Sequence, residues 1–236
     1  MKKRKIIVGL GLLTAFILWT LAVSLVDVQT IGPRDSAVGF ATVNSWFHSL
    51  TGVNMTLYTV TDWLGLVPVA FGFGFAILGL VQWIRRKHIW RVDPSLLALG
   101  AFYMVTLGAY LLFEEFAVNY RPVLIDGFLE ASYPSSTTLL VLCVMPTARL
   151  QLRDRIHNSA LRRIVCAAIT AFTVFMVAGR TLSGVHWLTD IVGGILLGAG
   201  FVTLYDSITG GTNNEKMDMR PAGGGFPHRL RAKYRK

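Results

Sequence analysis

Long runs of apolar residues, separated by short polar and charged connections, organise this chain. Six runs read as candidate spans: Ile6–Val26, Leu57–Ile84, Ser95–Val118, Ser135–Met145 with a short extension, Arg163–Gly179 and His186–Ser207. Most reach the roughly 17–25 residues a helix needs to cross a bilayer. Backbone in hydrocarbon must satisfy its own hydrogen bonds, so helices are the expected form. The fourth run is short, which predicts a helix that is tilted or partly enclosed by its neighbours. The expected fold is all-α, an integral-membrane bundle of six transmembrane helices. The first run follows Lys2-Lys3-Arg4-Lys5, as a secretory signal would. It is longer than the roughly 7–15 apolar residues of a signal core, which predicts a retained anchor.

Between the first two runs, Phe40, Val43, Phe47 and Leu50 recur at helical spacing with Trp46 alongside. Residues 36–50 are expected to form an amphipathic helix at the membrane interface, either as a connecting cover or as a platform guiding a lipid. Gly194 and Gly198 allow close helix approach, and packing within the bundle is the expected use.

Composition agrees with a membrane protein: 236 residues, 53% hydrophobic, mean hydropathy +0.52. The net charge of +10 has a topological source. All but three of the 23 lysines and arginines fall before the first span, in the second and fourth connections, or in the tail. The exceptions are Arg34, Arg121 and Arg180. By the positive-inside rule both termini are cytoplasmic, which puts those three at the outer face of the plasma membrane. The charge therefore requires no nucleic-acid partner. Residues 1–206 form the transmembrane domain. Residues 207–236 form a basic tail, expected to be disordered and able to touch anionic headgroups. Cys143 and Cys166 lie in apolar spans and read as packing residues. No cysteine or histidine spacing suggests a metal, and no glycine fingerprint suggests a dinucleotide cofactor.

The outer-face arginines belong to a chemical pattern. Arg180, His186 and Asp190 follow one another at spacings of six and four. A guanidinium is a forked donor for phosphate oxygens, and an imidazole can attack phosphorus. On a helix His186 and Asp190 would share a face, so that the carboxylate fixes one ring nitrogen. Arg121-Pro122 follows the third span, and Pro134-Ser135-Ser136-Thr137 opens the fourth. Ser135, Ser136 and Thr137 would meet an anion with hydroxyls and with the free N–H groups of a helix start.

Arg-Pro, then Pro-Ser, then Arg-x5-His-x3-Asp, each at the outer end of a span, resembles the type 2 phosphatidic acid phosphatase superfamily across about residues 35–206. The resemblance implies an integral-membrane lipid phosphatase with His186 as nucleophile, Asp190 as its partner, and Arg121, Arg180, Ser135, Ser136 and Thr137 around the phosphate. The substrate would be a lipid phosphate or diphosphate, with no metal or other cofactor, because the arginines supply the positive charge. Two positions depart from the family pattern. A lysine usually stands seven residues before the first-motif arginine, where this chain has Glu114. The second motif usually ends Gly-His, where this chain has Ser136-Thr137. The family's leaving-group acid is thus absent.

Three consequences are open from the sequence. A diphosphate, whose leaving group is a phosphate monoester with a second pKa near 6, needs little acid. A polyprenyl diphosphate would fit that chemistry. Alternatively Glu114, Glu115 or His48 replaces the acid, or the two glutamates orient the arginine clamp. Lastly, the protein is a degenerate lipid-phosphate-binding or headgroup-transfer protein. Asp126 and Glu130 read as solvated loop charges or as charges that repel or select headgroups, and Asp62 as a helix cap or a residue facing the site. His88 and His157 fall on the cytoplasmic side, and His228 falls in the tail. The sequence does not give the oligomeric state.

Overall fold

The computed structural model describes residues 2–218. Among these it contains helices and isolated bridges but no strand. The helices are α1 (Lys2–Leu25), α2 (Ala41–Thr51), α3 (Met55–Leu64), α4 (Leu66–Arg86), α5 (Pro94–Glu115), α6 (Ser136–Arg155), α7 (Ser159–Leu182) and α8 (Leu188–Asp218). Five segments are long and apolar enough to cross a membrane: α1, α3 with α4, α5, α7, and Leu188–Thr209 of α8. Large apolar side chains such as Leu10, Phe73, Trp83, Ile164 and Val174 stand exposed on these helices. So much outward apolar surface belongs in lipid. The protein is a multi-pass membrane protein of all-α fold.

The second sequence span is broken into α3 and α4 at Gly65. Pro68 lacks the N–H that would bond to Leu64, and its ring crowds that carbonyl, so one continuous helix is disfavoured there. The short fourth span becomes α6, which is enclosed by protein. Leu139, Val141, Cys143, Val144, Met145 and Ala148 are all buried along it. Because α6 meets neighbouring helices over most of its length, it can carry Thr138, Thr147 and Gln151 inside, where a lipid-facing helix would not. Two of these bond laterally to neighbouring helices: Tyr103 Oη and Thr147 Oγ1 are 3.1 Å apart, and Gln151 Nε2 donates to Tyr205 Oη at 2.5 Å.

The long partner of α1 is α8, and the two run antiparallel. Lys5 pairs with Asp206 at one end (2.5 Å), and Trp19 Nε1 donates to the Thr189 carbonyl at the other (3.1 Å). Gly194 and Gly198 face α6. A Cβ on Gly198 would lie 2.9 Å from Leu142 Cβ, so both glycines serve packing within the bundle. The helix continues past Ser207 to Asp218. The rest of the expected basic tail, residues 219–236, lies outside the described residues.

Helix α2 starts at Ala41, later than expected, with Phe40 ahead of it stacked on Trp19 at 5.2 Å; Val43, Trp46 and Leu50 are exposed and Phe47 half-buried, whereas Asn44 is fully buried. Its polar side turns toward the start of α8: Asn44 Nδ2 donates to Thr189 Oγ1 (3.0 Å), and Thr189 N–H donates to Asn44 Oδ1 (3.3 Å). Helix α2 therefore braces the first turn of α8.

Candidate active site

One end of the bundle collects the ends of α5 and α7 and the starts of α3, α6 and α8. The connection from α5 to α6 doubles back as a small hairpin, with antiparallel bridges at Tyr120–Ala131 and Ile125–Phe128. Its tip is Asp126-Gly127, both at positive φ (49° and 82°), the backbone that an Asp-Gly two-residue turn favours. This fold brings Asn119 and Arg121 beside Glu130 and Ser132. Arg121 N–H donates to the Glu130 carbonyl (3.1 Å), and Ser132 N–H donates to the Asn119 carbonyl (2.8 Å).

His186 sits in the tight loop between α7 and α8, ahead of the helix and not on it. Gly184 takes φ +67°, and Trp187 immediately precedes α8. The Asp190 carboxylate reaches back to Trp187 N–H at 3.0 Å, as the third residue of a helix does in a capping box. The expected direct helical pairing of His186 with Asp190 is thereby altered: Nδ1 and Oδ2 are 4.0 Å apart. Ser132 Oγ stands between them, 3.0 Å from His186 Nδ1 and 2.5 Å from Asp190 Oδ2. Asn119 Nδ2 donates to the other Asp190 oxygen at 3.1 Å. Ser132, His186 and Asp190 are all buried.

The other ring nitrogen faces the arginines. His186 Nε2 is 3.3 Å from Arg121 Nη1 and 3.4 Å from Arg180 Nη2. Each guanidinium is held from behind. Arg121 Nε lies 2.9 Å from Glu130 Oε2, and Arg180 Nη1 lies 3.5 Å from Asp62 Oδ1. The Tyr58 ring lies under both, 4.9 Å from the Arg180 guanidinium carbon and 5.9 Å from that of Arg121. Contacts of this length are cation–π interactions. His186 lies between the membrane-spanning segments. Its burial, then the positive charges of Arg121 and Arg180, hold the ring well below the ordinary histidine range, and a hydrogen bond with Ser132 works the other way. The imidazole is thus kept neutral, the form with a lone pair to give.

The structure brings His186, Asp190, Arg121 and Arg180 together. Ser135 is fully buried beside them, and its hydroxyl has no partner among the described residues, while its N–H donates to the Asp190 carbonyl at 3.1 Å. That hydroxyl is a donor without a protein acceptor, but the N–H is already used. Ser136 and Thr137 line an apolar cavity of about 670 Å³ between α4, α5 and α6. Glu114 and Glu115 are exposed at the end of α5. The carboxylates paired with the two arginines are Glu130 and Asp62. His48 Nε2 lies 3.1 Å from the Gly184 carbonyl, and its ring packs on Trp187 at 5.5 Å. That places His48 behind the loop that carries His186.

Sequence reasoning missed Ser132, Asn119 and Tyr58, and it took Glu130 for a loop charge and not for the partner of Arg121. The Asp126-Gly127 pair was the available signal, because a hairpin there folds the flanking residues 119–121 and 130–132 against each other. Tyr58 left no comparable mark.

A family model described as the PAP2 superfamily matches residues 68–210. No curated protein matches the chain. Among solved structures, the crystal structure of a transmembrane PAP2 type phosphatidylglycerolphosphate phosphatase from Bacillus subtilis is similar, with a TM-score of 0.56 at 17% identity. The likeness covers 91% of this chain and 98% of that one, and at this identity it is a likeness of fold.

Proposed function

The chain belongs to the PAP2 superfamily, and from that premise we propose that it is a membrane phosphatase of lipid phosphates that works through a phosphohistidine at His186. The observation that carries this reading is the placement of His186 Nε2 within 3.4 Å of both guanidinium groups. A phosphoryl group clamped by Arg121 and Arg180 has its phosphorus next to that nitrogen. Bidentate guanidinium contacts suit phosphate oxygens and offset the charge of the transferring group.

In the first step Nε2 forms a bond to phosphorus, and the bond from phosphorus to the leaving oxygen breaks, with its electron pair going to that oxygen. The imidazole becomes cationic and retains its proton at Nδ1. In the second step water attacks phosphorus and loses a proton to solvent. The N–P bond breaks and Nε2 regains its lone pair, releasing phosphate.

The preferred substrate under this reading is a polyprenyl diphosphate. The chain has Thr137 where the family's acid stands. An alcohol leaves as an alkoxide about as basic as hydroxide (parent water pKa about 15.7), whereas a phosphate monoester leaves as a much weaker base with a second pKa of about 6. The large apolar cavity that begins at Ser136 and Thr137 and runs along Val69, Phe73 and Leu107 offers space for a lipid chain. The asymmetric distribution of lysine and arginine supports an active site at the outer face of the plasma membrane. The domain reading follows: residues 1–206 as the catalytic membrane domain, with a basic tail beyond.

The test is phosphate release by purified protein in detergent, comparing a polyprenyl diphosphate with phosphatidic acid, and wild type with His186→Ala. Release that vanishes in the variant, with the diphosphate preferred, is expected. Equal rates on both lipids would remove the diphosphate assignment. No release above the variant's background would favour a second reading, a lipid-phosphate-binding or headgroup-transfer protein. The family positions that here hold Glu114 in place of a lysine and Thr137 in place of the leaving-group acid favour that reading.

A further inference from the structure

The hydrogen atoms around His186 can be assigned from donor and acceptor chemistry. A guanidinium only donates. Both arginines face Nε2, so Nε2 is the acceptor and carries the lone pair. A neutral imidazole then has its proton on Nδ1, and the nearest acceptor is Ser132 Oγ at 3.0 Å. The Asp190 carboxylate receives donors on every side: Asn119 Nδ2 on one oxygen, Trp187 N–H and Ser132 Oγ on the other. The hydroxyl proton of Ser132 therefore points to Asp190, and its oxygen accepts from His186. The chain of donation runs His186 Nδ1–H to Ser132 Oγ–H to Asp190 Oδ2.

We infer that Ser132 is a positioning residue that couples Asp190 to His186, standing in the 4.0 Å gap that keeps the two from bonding directly. Three tasks fall to it. It fixes the Nδ1–H tautomer, so that Nε2 presents its lone pair to phosphorus. It orients the ring. It also carries the negative potential of Asp190 to the imidazolium that forms with the N–P bond, without the proton leaving Nδ1. Buried hydrogen-bond chains of this kind strengthen along their length. The hairpin makes the placement possible, because the Ser132 N–H is fixed to the Asn119 carbonyl while the Asn119 side chain holds the far oxygen of Asp190.

This inference rests on the phosphohistidine reading, and the experiment separates the two. Turnover and KM would be measured for wild type, Ser132→Ala, and the isosteric pair Ser132→Thr and Ser132→Val, with thermal unfolding in detergent as a folding control. We expect Ser132→Ala and Ser132→Val to lose on the order of 10- to 100-fold in kcat with KM changed less than about threefold, and Ser132→Thr to recover most of the loss. Equal activity of the threonine and valine variants, or an alanine variant with wild-type kcat, would overturn the relay and leave the phosphatase intact. A wild type without turnover would remove the phosphatase reading. The relay is then decided by ¹⁵N-histidine NMR of the full chain, where His186→Gln assigns the signal. The wild type should show His186 protonated at Nδ1, and Ser132→Val should shift that tautomer balance while Ser132→Thr preserves it. Identical His186 spectra in both variants would overturn the relay.

Discussion

Glu130 reaches Arg121 from the opposite arm of the hairpin, its Oε2 2.9 Å from the guanidinium Nε, so in the proposed phosphatase one half of the phosphate clamp is aimed by a carboxylate that itself repels phosphate. The two effects can be separated. Glu130→Gln keeps a side chain of the same shape beside the guanidinium and removes a negative charge near the headgroup. A lower KM, by about two- to fivefold, is expected with kcat little changed, since the carboxylate is partly exposed and its field is screened. Glu130→Ala should instead raise KM, because Arg121 loses its orientation. A glutamine variant that binds no more tightly than wild type would show that Glu130 has no electrostatic effect on the substrate.

Arg180 is wedged between the Tyr58 ring and the loop that carries His186, and it is almost completely buried. A lysine there has neither the planar face that stacks on tyrosine nor the fork that spans two oxygens. Arg180→Lys should cost on the order of 10²-fold in kcat/KM, a loss typical of removing one donor to a developing charge. Tyr58→Leu should raise KM, and Tyr58→Phe, which retains the ring face, should leave it near wild type. If the phenylalanine variant falls as far as the leucine variant, the hydroxyl acts on the substrate and the ring does not explain the effect.

The fold class was legible because lipid imposes one requirement, long apolar segments with internally satisfied backbone, and five of the expected spans meet it by composition. The exception, α6, is instructive. Its residues answer to protein neighbours, so hydropathy marks only its first half. In the site, Arg180, His186 and Asp190 were legible because they lie close together in one string. Ser132 and Glu130 were not, because their roles arise from a hairpin that apolar periodicity does not report. The i, i+4 argument for His186 and Asp190 assumed a helix that starts two residues later. Glu114, prominent as a departure from the family pattern, is exposed, while the working carboxylate on Arg121 was the loop residue Glu130.

Gly184 sets the position of His186, the proposed nucleophile. It holds φ +67°, and a Cβ there would stand 1.8 Å from the Gly52 carbonyl oxygen at the end of α2. Both the backbone conformation and the space reject a side chain. Gly184→Ala should push the loop away from α2, weaken the contact of His48 with the residue 184 carbonyl, and displace His186 from the arginines. A displacement near 1 Å can cost about 10²-fold. The expected result is a kcat loss of that order with a lowered unfolding temperature. Wild-type kcat in Gly184→Ala would mean that the loop is not held by this contact.

The ionisation of His186 gives a pH dependence with a definite sign. Burial, Arg121 and Arg180 lower its pKa; Asp190 acts through Ser132, and Glu130 and Asp62 stand behind the arginines. The attacking form is neutral, so the acidic limb of kcat/KM due to this residue should fall below about pH 6.5, the ordinary histidine value. Replacing Arg180 by Gln removes a positive charge and should move the His186 titration upward, a shift that ¹⁵N-histidine NMR can follow even where turnover is lost. Stability carries the same sign. Above about pH 6.5 both folded and unfolded His186 are neutral and the group contributes no slope. As the pH falls through that value the unfolded chain takes up a proton that the native site refuses, so native stability declines until the native pKa is reached. Unfolding temperatures between about pH 5 and 7.5 should therefore fall on acidification, and less steeply in His186→Gln. A substrate phosphate with a second pKa of about 6 adds its own limb to the rate profile but not to the unfolding curve of the ligand-free protein, so the two measurements together isolate the histidine. Equal slopes in wild type and His186→Gln would show that the ring titrates as it does in water, and the charged clamp around it would then not be controlling the nucleophile.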